Sequence, residues 1–191
     1  SGPFKLFKFN SSEGGQRVPL IISGAGIINQ TDFLQGRAHM VDVLPTILDL
    51  LDIPFEQNEL YGRSLMPLIS GQSQQVYGPD ESYAIEVGGN ASLYRGAWKI
   101  SRVNPPSGDG KWHLFNLAVD AGEANVLEDE YPLLFQELLN EYLAYSTEME
   151  IIQPDLNSND RDQVVKNIIR KQAGIIGPYL IFIVILIVGF V

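Results

Sequence analysis

The chain has 191 residues, 45% of them hydrophobic, and a formal net charge of −10. That length suits one domain with a tail, and the acidity excludes nonspecific nucleic-acid binding, which needs a basic face. The absence of cysteine excludes disulfides and thiolate metal sites within this chain.

The apolar run at 17–23, RVPLIIS, lies between Gly15 and Gly24. It predicts a buried strand of a mostly parallel sheet, with Pro19 near a strand end or an edge. Gly24, Gly26 and Asn29 then predict a turn. At 40–51 the spacing of Val41, Val43, Leu44, Ile47, Leu48 and Leu51 predicts a helix, with Asp42 as its N-cap and Pro45 in the first turn. Asp52-Ile53-Pro54 stops it. The stretch 61–71 reads as a loop followed by a short helical turn that ends at Gly71.

From Ser82 onward the texture changes. Short strands are predicted at 83–87, 92–94, 98–103 and 112–117, separated by Gly88-Gly89-Asn90, Gly96 and the PPSGDG run at 105–110. An amphipathic helix follows at 132–145, with Leu134, Phe135, Leu138, Leu139, Tyr142 and Leu143 on one face and Pro132 in the first turn. A small antiparallel sheet with one helix across it buries one face of each. Trp98 and Trp112 are expected to anchor that core. Between Lys111 and Arg161 there are eleven Asp and Glu and no Lys or Arg. This reads as a solvated helix face and an acidic linker, because no run has the ligand spacing of a calcium loop.

The last 19 residues, 173–191, carry no charge. As a helix they would span about 28 Å at ~1.5 Å per residue, close to the thickness of a bilayer core. Val164, Val165, Ile168 and Ile169 with Lys166, Arg170 and Lys171 predict an amphipathic juxtamembrane helix before them. The expected organisation is α/β: the C-terminal end of an α/β domain over 1–78, a small antiparallel sheet-plus-helix lobe over 79–150, a linker over 151–172 and a transmembrane helix over 173–191. The expected location is a membrane, through a single-pass C-terminal anchor, with the side left open.

Five phrases then carry a family resemblance. They are KLFKFNSSEGGQRVPLIISGAG from Lys5 to Gly26, HMVDVLPTILDLLDI from His39 to Ile53, LYGRSLMPLISG from Leu60 to Gly71, YRGAWKI from Tyr94 to Ile100, and KWHLFNLAVDAGEANVL from Lys111 to Leu127. In this order they resemble the type I sulfatases of the alkaline-phosphatase-like superfamily. The resemblance departs at Asn116, where Asp is usual, and at Ala121, where Pro is usual; both lie in a predicted turn.

The resemblance implies the end of an alkaline-phosphatase-like α/β sandwich and a hydrolase of sulfate esters. It also implies a formylglycine nucleophile, made within a Cys/Ser-x-Pro-x-Arg motif, and a calcium ion held by paired Asp or Asn. Neither motif is present here; both are expected upstream of Ser1, which leaves this chain without a nucleophile or metal ligands and inactive alone. Lys8 occupies the place of the family lysine that binds the substrate sulfate, and its spacing to Gly14-Gly15 singles it out over Lys5. A compact cation suits an anionic substrate whose leaving oxygen gains charge. Gly14 and Gly15 are expected to allow a turn or a close backbone approach, and Glu13 and Arg17 to pair or brace the loop. His39, Asp42 and His113 are read as structural.

Two other readings stay open. Phosphonate monoester and phosphodiester hydrolases share the superfamily and similar phrases. A tail-anchored, non-catalytic interaction domain would need no upstream motif. The expected partners are a sulfate ester substrate and a membrane.

Overall fold

A computed structural model describes residues 2–24, 27, 33–34, 36–152, 166 and 169–172. The expected membrane helix, and most of the linker before it, lie outside these residues. Among the described residues no helix is long and apolar enough to cross a membrane.

The centre of the fold is a four-stranded antiparallel meander: β1 (Ser82–Val87), β2 (Asn90–Arg95), β3 (Trp98–Arg102) and β4 (Trp112–Asn116), in that spatial order. Tight turns join the first three strands. Gly88, Gly89 and Gly96 all have positive φ, which side-chain-bearing residues adopt at a cost. The register sets Leu93 opposite both Ala84 and Ile100, and Ile100 opposite Leu114. Those residues share one face, and the helix Pro132–Glu148 lies across it. Leu138 and Tyr142 of that helix are fully buried against Ala84, Ala91, Leu93, Ile100 and Leu114. Trp98 stacks near Tyr131 and Trp112 near Tyr142, so both tryptophans flank this core. Leu143, expected on the apolar face, is instead half exposed.

The other face of the sheet carries Tyr83, Ile85, Ser92, Tyr94, Lys99, Ser101, His113 and Phe115. Its inner part is covered by the N-terminal segment. That segment forms a loop over residues 5–12 and a single helical turn, α1 (Glu13–Gln16). Between the two parts lie a 3-10 turn (Met40–Asp42) that runs directly into α2 (Val43–Leu50), and then α3 (Met66–Ile69). We number the long C-terminal helix α4.

Two expectations are corrected. Residues 17–23 form no strand, and Val18, Leu20 and Ile21 are exposed, Ile21 at 88%. A strand needs a neighbour for its backbone groups, and the strands among the described residues all belong to the 82–116 meander. Asp42 stands at the N-cap position of α2, but its side chain caps no N–H there. The capping is done one turn earlier, at the 3-10 turn: the His39 ring Nδ1 accepts from the Val41 backbone N–H, while Asp42 reaches back to accept from the His39 N–H at 2.6 Å, forming a reciprocal capping box.

Candidate functional site: the Lys8 loop and its buried brace

Lys8 sits in a tightly wound loop. Leu6 and Phe9, on either side of it, have φ of 60° and 73°, in the left-handed region that bulky residues avoid. Phe7 and Phe9 are also substantially exposed, Phe9 at 69%. Burial therefore does not offset the backbone strain, and hydrogen bonds must hold the loop. The Lys5 carbonyl accepts from the Gly14 N–H at 2.9 Å and the Ser12 hydroxyl at 2.8 Å. The Asn10 amide donates to the Phe7 carbonyl at 2.8 Å. From the sheet, the Asn90 amide donates to the Phe9 carbonyl at 2.8 Å.

The glycine pair of the sequence motif is explained by this winding. A Cβ on Gly14 would lie 2.3 Å from the Leu6 carbonyl oxygen, and one on Gly15 would lie 2.2 Å from that of Asn10. Both contacts are with backbone, which cannot swing aside. Close approach, rather than an unusual φ at these two positions, is what requires glycine. The lysines diverge: Lys5 lies over the Phe115 ring of the sheet at 5.8 Å, whereas Lys8 stays within its own loop, over Phe9 at 5.6 Å.

Glu13 does not pair with Arg17, which lies over the Phe4 ring. Its carboxylate is buried and meets Lys99 Nζ of β3 at 3.0 Å. Lys99 is fully buried and also meets Glu123 Oε1 at 2.9 Å, while Glu123 Oε2 accepts from the Glu13 backbone N–H at 2.8 Å. The Tyr94 hydroxyl donates to Glu13 at 2.8 Å, and its ring lies 4.8 Å from Lys99 Nζ. Burial raises the Glu13 pKa, but the Lys99 charge and the hydrogen bonds from Lys99 and Tyr94 outweigh it, so the net shift is downward. Burial, reinforced by the Glu13 charge, pushes the Tyr94 phenol well above its usual range.

Glu123 has φ of 55°, held by the turn around it. The Asp120 carboxylate accepts from the Ala124 and Asn125 backbone N–H groups at 2.9 and 2.8 Å. The Asn116 side chain accepts from Ala118 N–H at 3.1 Å, so Asn serves as the turn acceptor in place of the usual Asp. The acidic stretch is thus only partly a solvated face. Glu123 enters the buried triad, Glu137 and Glu141 pair with Arg95, and Glu128 pairs with His113 Nδ1 at 2.7 Å. His113 Nε2 lies 3.1 Å from Asp109, so its ring bridges two carboxylates.

A second network joins two other motifs. The buried Asp42 Oδ1 accepts from Arg63 N–H at 2.8 Å and from the Tyr77 hydroxyl at 2.6 Å. The Thr46 hydroxyl accepts from Leu65 N–H at 2.9 Å, and Ser64 donates to Asp49 at 2.6 Å. A Cβ on Gly62 would lie 2.0 Å from the Val41 carbonyl oxygen. The Asp-x-x-Pro-Thr helix therefore serves as a template for the Gly-Arg-Ser-Leu loop. Tyr77 of this network lies 4.7 Å from the Tyr83 ring, which stacks on Tyr94 of the buried brace at 5.0 Å, so the two networks meet through these rings. Among the described residues no group of three or more His, Asp or Glu side chains is placed to hold a metal ion. The calcium implied by the resemblance has no ligand set there.

No protein-family model matches the chain. The fold is shared with solved structures. The crystal structure of Ps i-CgsB in complex with k-i-k-neocarrahexaose matches 76% of this chain and 32% of its own, with a TM-score of 0.64 and 23% identity. A Bacteroides thetaiotaomicron structure from a locus for the metabolism of multiple glycosaminoglycans matches the same shares with a TM-score of 0.65 and 17% identity. These likenesses define the class: an α/β fold whose four-stranded sheet carries a helix on one face. Among curated proteins, arylsulfatase K of Gallus gallus is 32% identical over 149 residues, covering 70% of this chain and 26% of its own length. An uncharacterized sulfatase of Schizosaccharomyces pombe is 26% identical over 159 residues, covering 80% of this chain and 29% of its own. The chain belongs to the type I sulfatases, and it spans less than a third of the length of these relatives.

Proposed function

We propose that this chain is the C-terminal part of an arylsulfatase-like sulfuric ester hydrolase. Its role is to present Lys8 to the sulfate group of a sulfate monoester. The observation that carries the reading is the Lys8 loop: a strained, hydrogen-bonded turn on which the motif lysine is exposed, in a chain whose relatives are sulfatases. Strain of about 1–3 kcal/mol per residue persists where the surroundings over-determine it, and it concentrates at functional sites. A lysine fixed there supplies a point charge that stabilises an anionic substrate and the charge growing on its leaving oxygen. The formylglycine nucleophile and the calcium ligands belong to sequence upstream of Ser1, and the chain alone is expected to be inactive. The uncharged run 173–191 supports a membrane tether for the whole enzyme.

The test uses protein expressed from the complete reading frame, with formylglycine maturation. 4-Nitrophenyl sulfate should be turned over faster than bis(4-nitrophenyl) phosphate. Lys8→Ala should lower kcat/KM for the sulfate ester by about 10²–10³-fold, the range for removing one preorganised charge-stabilising group, without shifting Tm. Preference for the diester would favour a phosphodiesterase of the same superfamily. Unchanged turnover in Lys8→Ala would remove that residue from the site.

A further inference from the structure

We infer that Asn90, in the β1–β2 hairpin of the small lobe, is a positioning residue for Lys8. The inference rests on the reading of Lys8 as the sulfate-binding lysine. Phe9, the neighbour of Lys8, is held at a positive φ while its own side chain is largely exposed. Its carbonyl accepts the Asn90 Nδ2 hydrogen bond at 2.8 Å, across 81 residues of sequence. Most other contacts that wind the loop come from the loop itself or from α1, and Ser11, farther along, donates to the Arg102 carbonyl of β3 at 2.9 Å. Asn90 is the sheet residue that bonds to the backbone of Phe9, directly beside Lys8.

Asn90 is itself fixed at both ends. It is 8% exposed and opens β2, so its backbone is set by pairing with Val87. Its Oδ1 accepts from the Asn104 N–H at 2.7 Å, which orients the amide so that Nδ2 faces the loop. Asn104 in turn donates through its side chain to the Gly89 carbonyl at 2.9 Å, closing a brace across the hairpin. A hydrogen bond held this way anchors the Phe9–Asn10 peptide plane and helps to hold Phe9 at its positive φ, which limits the directions open to Lys8. The small lobe then has a part in substrate binding although it sends no side chain to the substrate. A lysine on an untied loop would sample many directions, and each lost rotamer and backbone state weakens its hold on an anion.

The experiment measures kcat and KM for 4-nitrophenyl sulfate, and competitive inhibition by inorganic sulfate, in the complete, matured enzyme. The variants are Asn90→Ala, Asn104→Ala and Lys8→Ala, with active-site concentration and Tm recorded for each. Asn90→Ala should raise the inhibition constant of sulfate and KM by roughly three- to tenfold, the effect of one hydrogen bond of ordinary strength. Asn104→Ala, which loosens the brace without touching the loop, should act in the same direction by less. If Asn90→Ala lowers only Tm or the active fraction, with sulfate inhibition unchanged, Asn90 is merely structural and the inference is overturned. If Asn90→Ala does not fold, Asn104→Ala decides alone: unchanged sulfate inhibition overturns the inference. If Lys8→Ala itself leaves sulfate inhibition unchanged, the reading of Lys8 fails. If Lys8→Ala abolishes inhibition while both asparagine variants leave it intact, that reading stands and only the inference falls.

Discussion

At the scale of single residues, Lys99 carries the greatest energetic stake. It is fully buried between Glu13 and Glu123, with the Tyr94 ring beneath it. Desolvating three charges is costly, and their attraction offsets that cost only while all partners are present. Lys99→Met should therefore destabilise the protein by about 3–5 kcal/mol, because two carboxylates are left buried without a cation. Adding Glu13→Gln and Glu123→Gln should recover part of that loss. Denaturant titration of the single and triple variants checks both statements, and a loss under about 1 kcal/mol for the single change would mean that the triad is hydrated. The pH dependence has a definite sign. The folded pKa of Glu13 is below its ordinary value of 4.5. Its contribution is then fully present above that value and is lost as pH falls through the folded pKa. The stability gap between the protein and its Glu13→Gln variant should narrow on acidification below pH 4.5. A gap that widens on acidification would reverse the assignment.

At the scale of elements, Gly14 and Gly15 set how the Lys8 loop meets α1. Alanine has the higher helix propensity, worth up to about 1 kcal/mol over glycine. A Cβ at Gly14 would nonetheless meet two backbone carbonyl oxygens at 2.3 and 2.4 Å. The clash should win, so that Gly14→Ala lowers stability by about 1–3 kcal/mol, as overpacking does. Thermal unfolding tests this, and a raised Tm would show that the loop does not pack on α1. The same contrast explains what could be read from sequence. The β1–β4 meander and α4 were legible because glycine turns and period-two alternation are local signals. The Asp-x-x-Pro-Thr and Gly-Arg-Ser-Leu motifs were visible as phrases, but their mutual hydrogen bonds were not. The Lys99 triad was missed because its members lie up to 110 residues apart, and Glu123 looked like one acid among eleven. One signal was available: Lys99 alternates with Trp98 and Ile100 in a strand, which places it on a covered face. The expected strand at 17–23 failed for the opposite reason. Its composition is that of a buried strand, but no strand among the described residues lies beside it.

At the scale of the whole molecule, the two halves of the fold differ in how well they cover themselves. The sheet and α4 enclose a core with Leu93, Ile100, Leu114 and Leu138 at 0–1% exposure. Residues 17–23, and the 3-10 turn with α2, are the reverse. Val18, Leu20 and Ile21 are exposed, as are Met40, Val41, Leu44, Ile47 and Leu51. Side chains of this kind gain roughly 1.5–3 kcal/mol each on full burial, and apolar side chains left exposed together on one helix, as on α2, favour association. The small lobe has less such need, since its strand and helix side chains pack into one core, although Val119, Leu133 and Leu143 stay exposed. A piece comprising residues 2–152 should therefore self-associate through the α2 flank rather than through the sheet. Leu44→Lys combined with Ile47→Lys places two charges on that flank without entering the sheet–α4 core. It should shift sedimentation toward monomer and leave the far-ultraviolet circular dichroism of the sheet and α4 unchanged. Association that persists undiminished in the doubly charged variant would locate the sticky surface elsewhere and leave the α2 flank without a role in it.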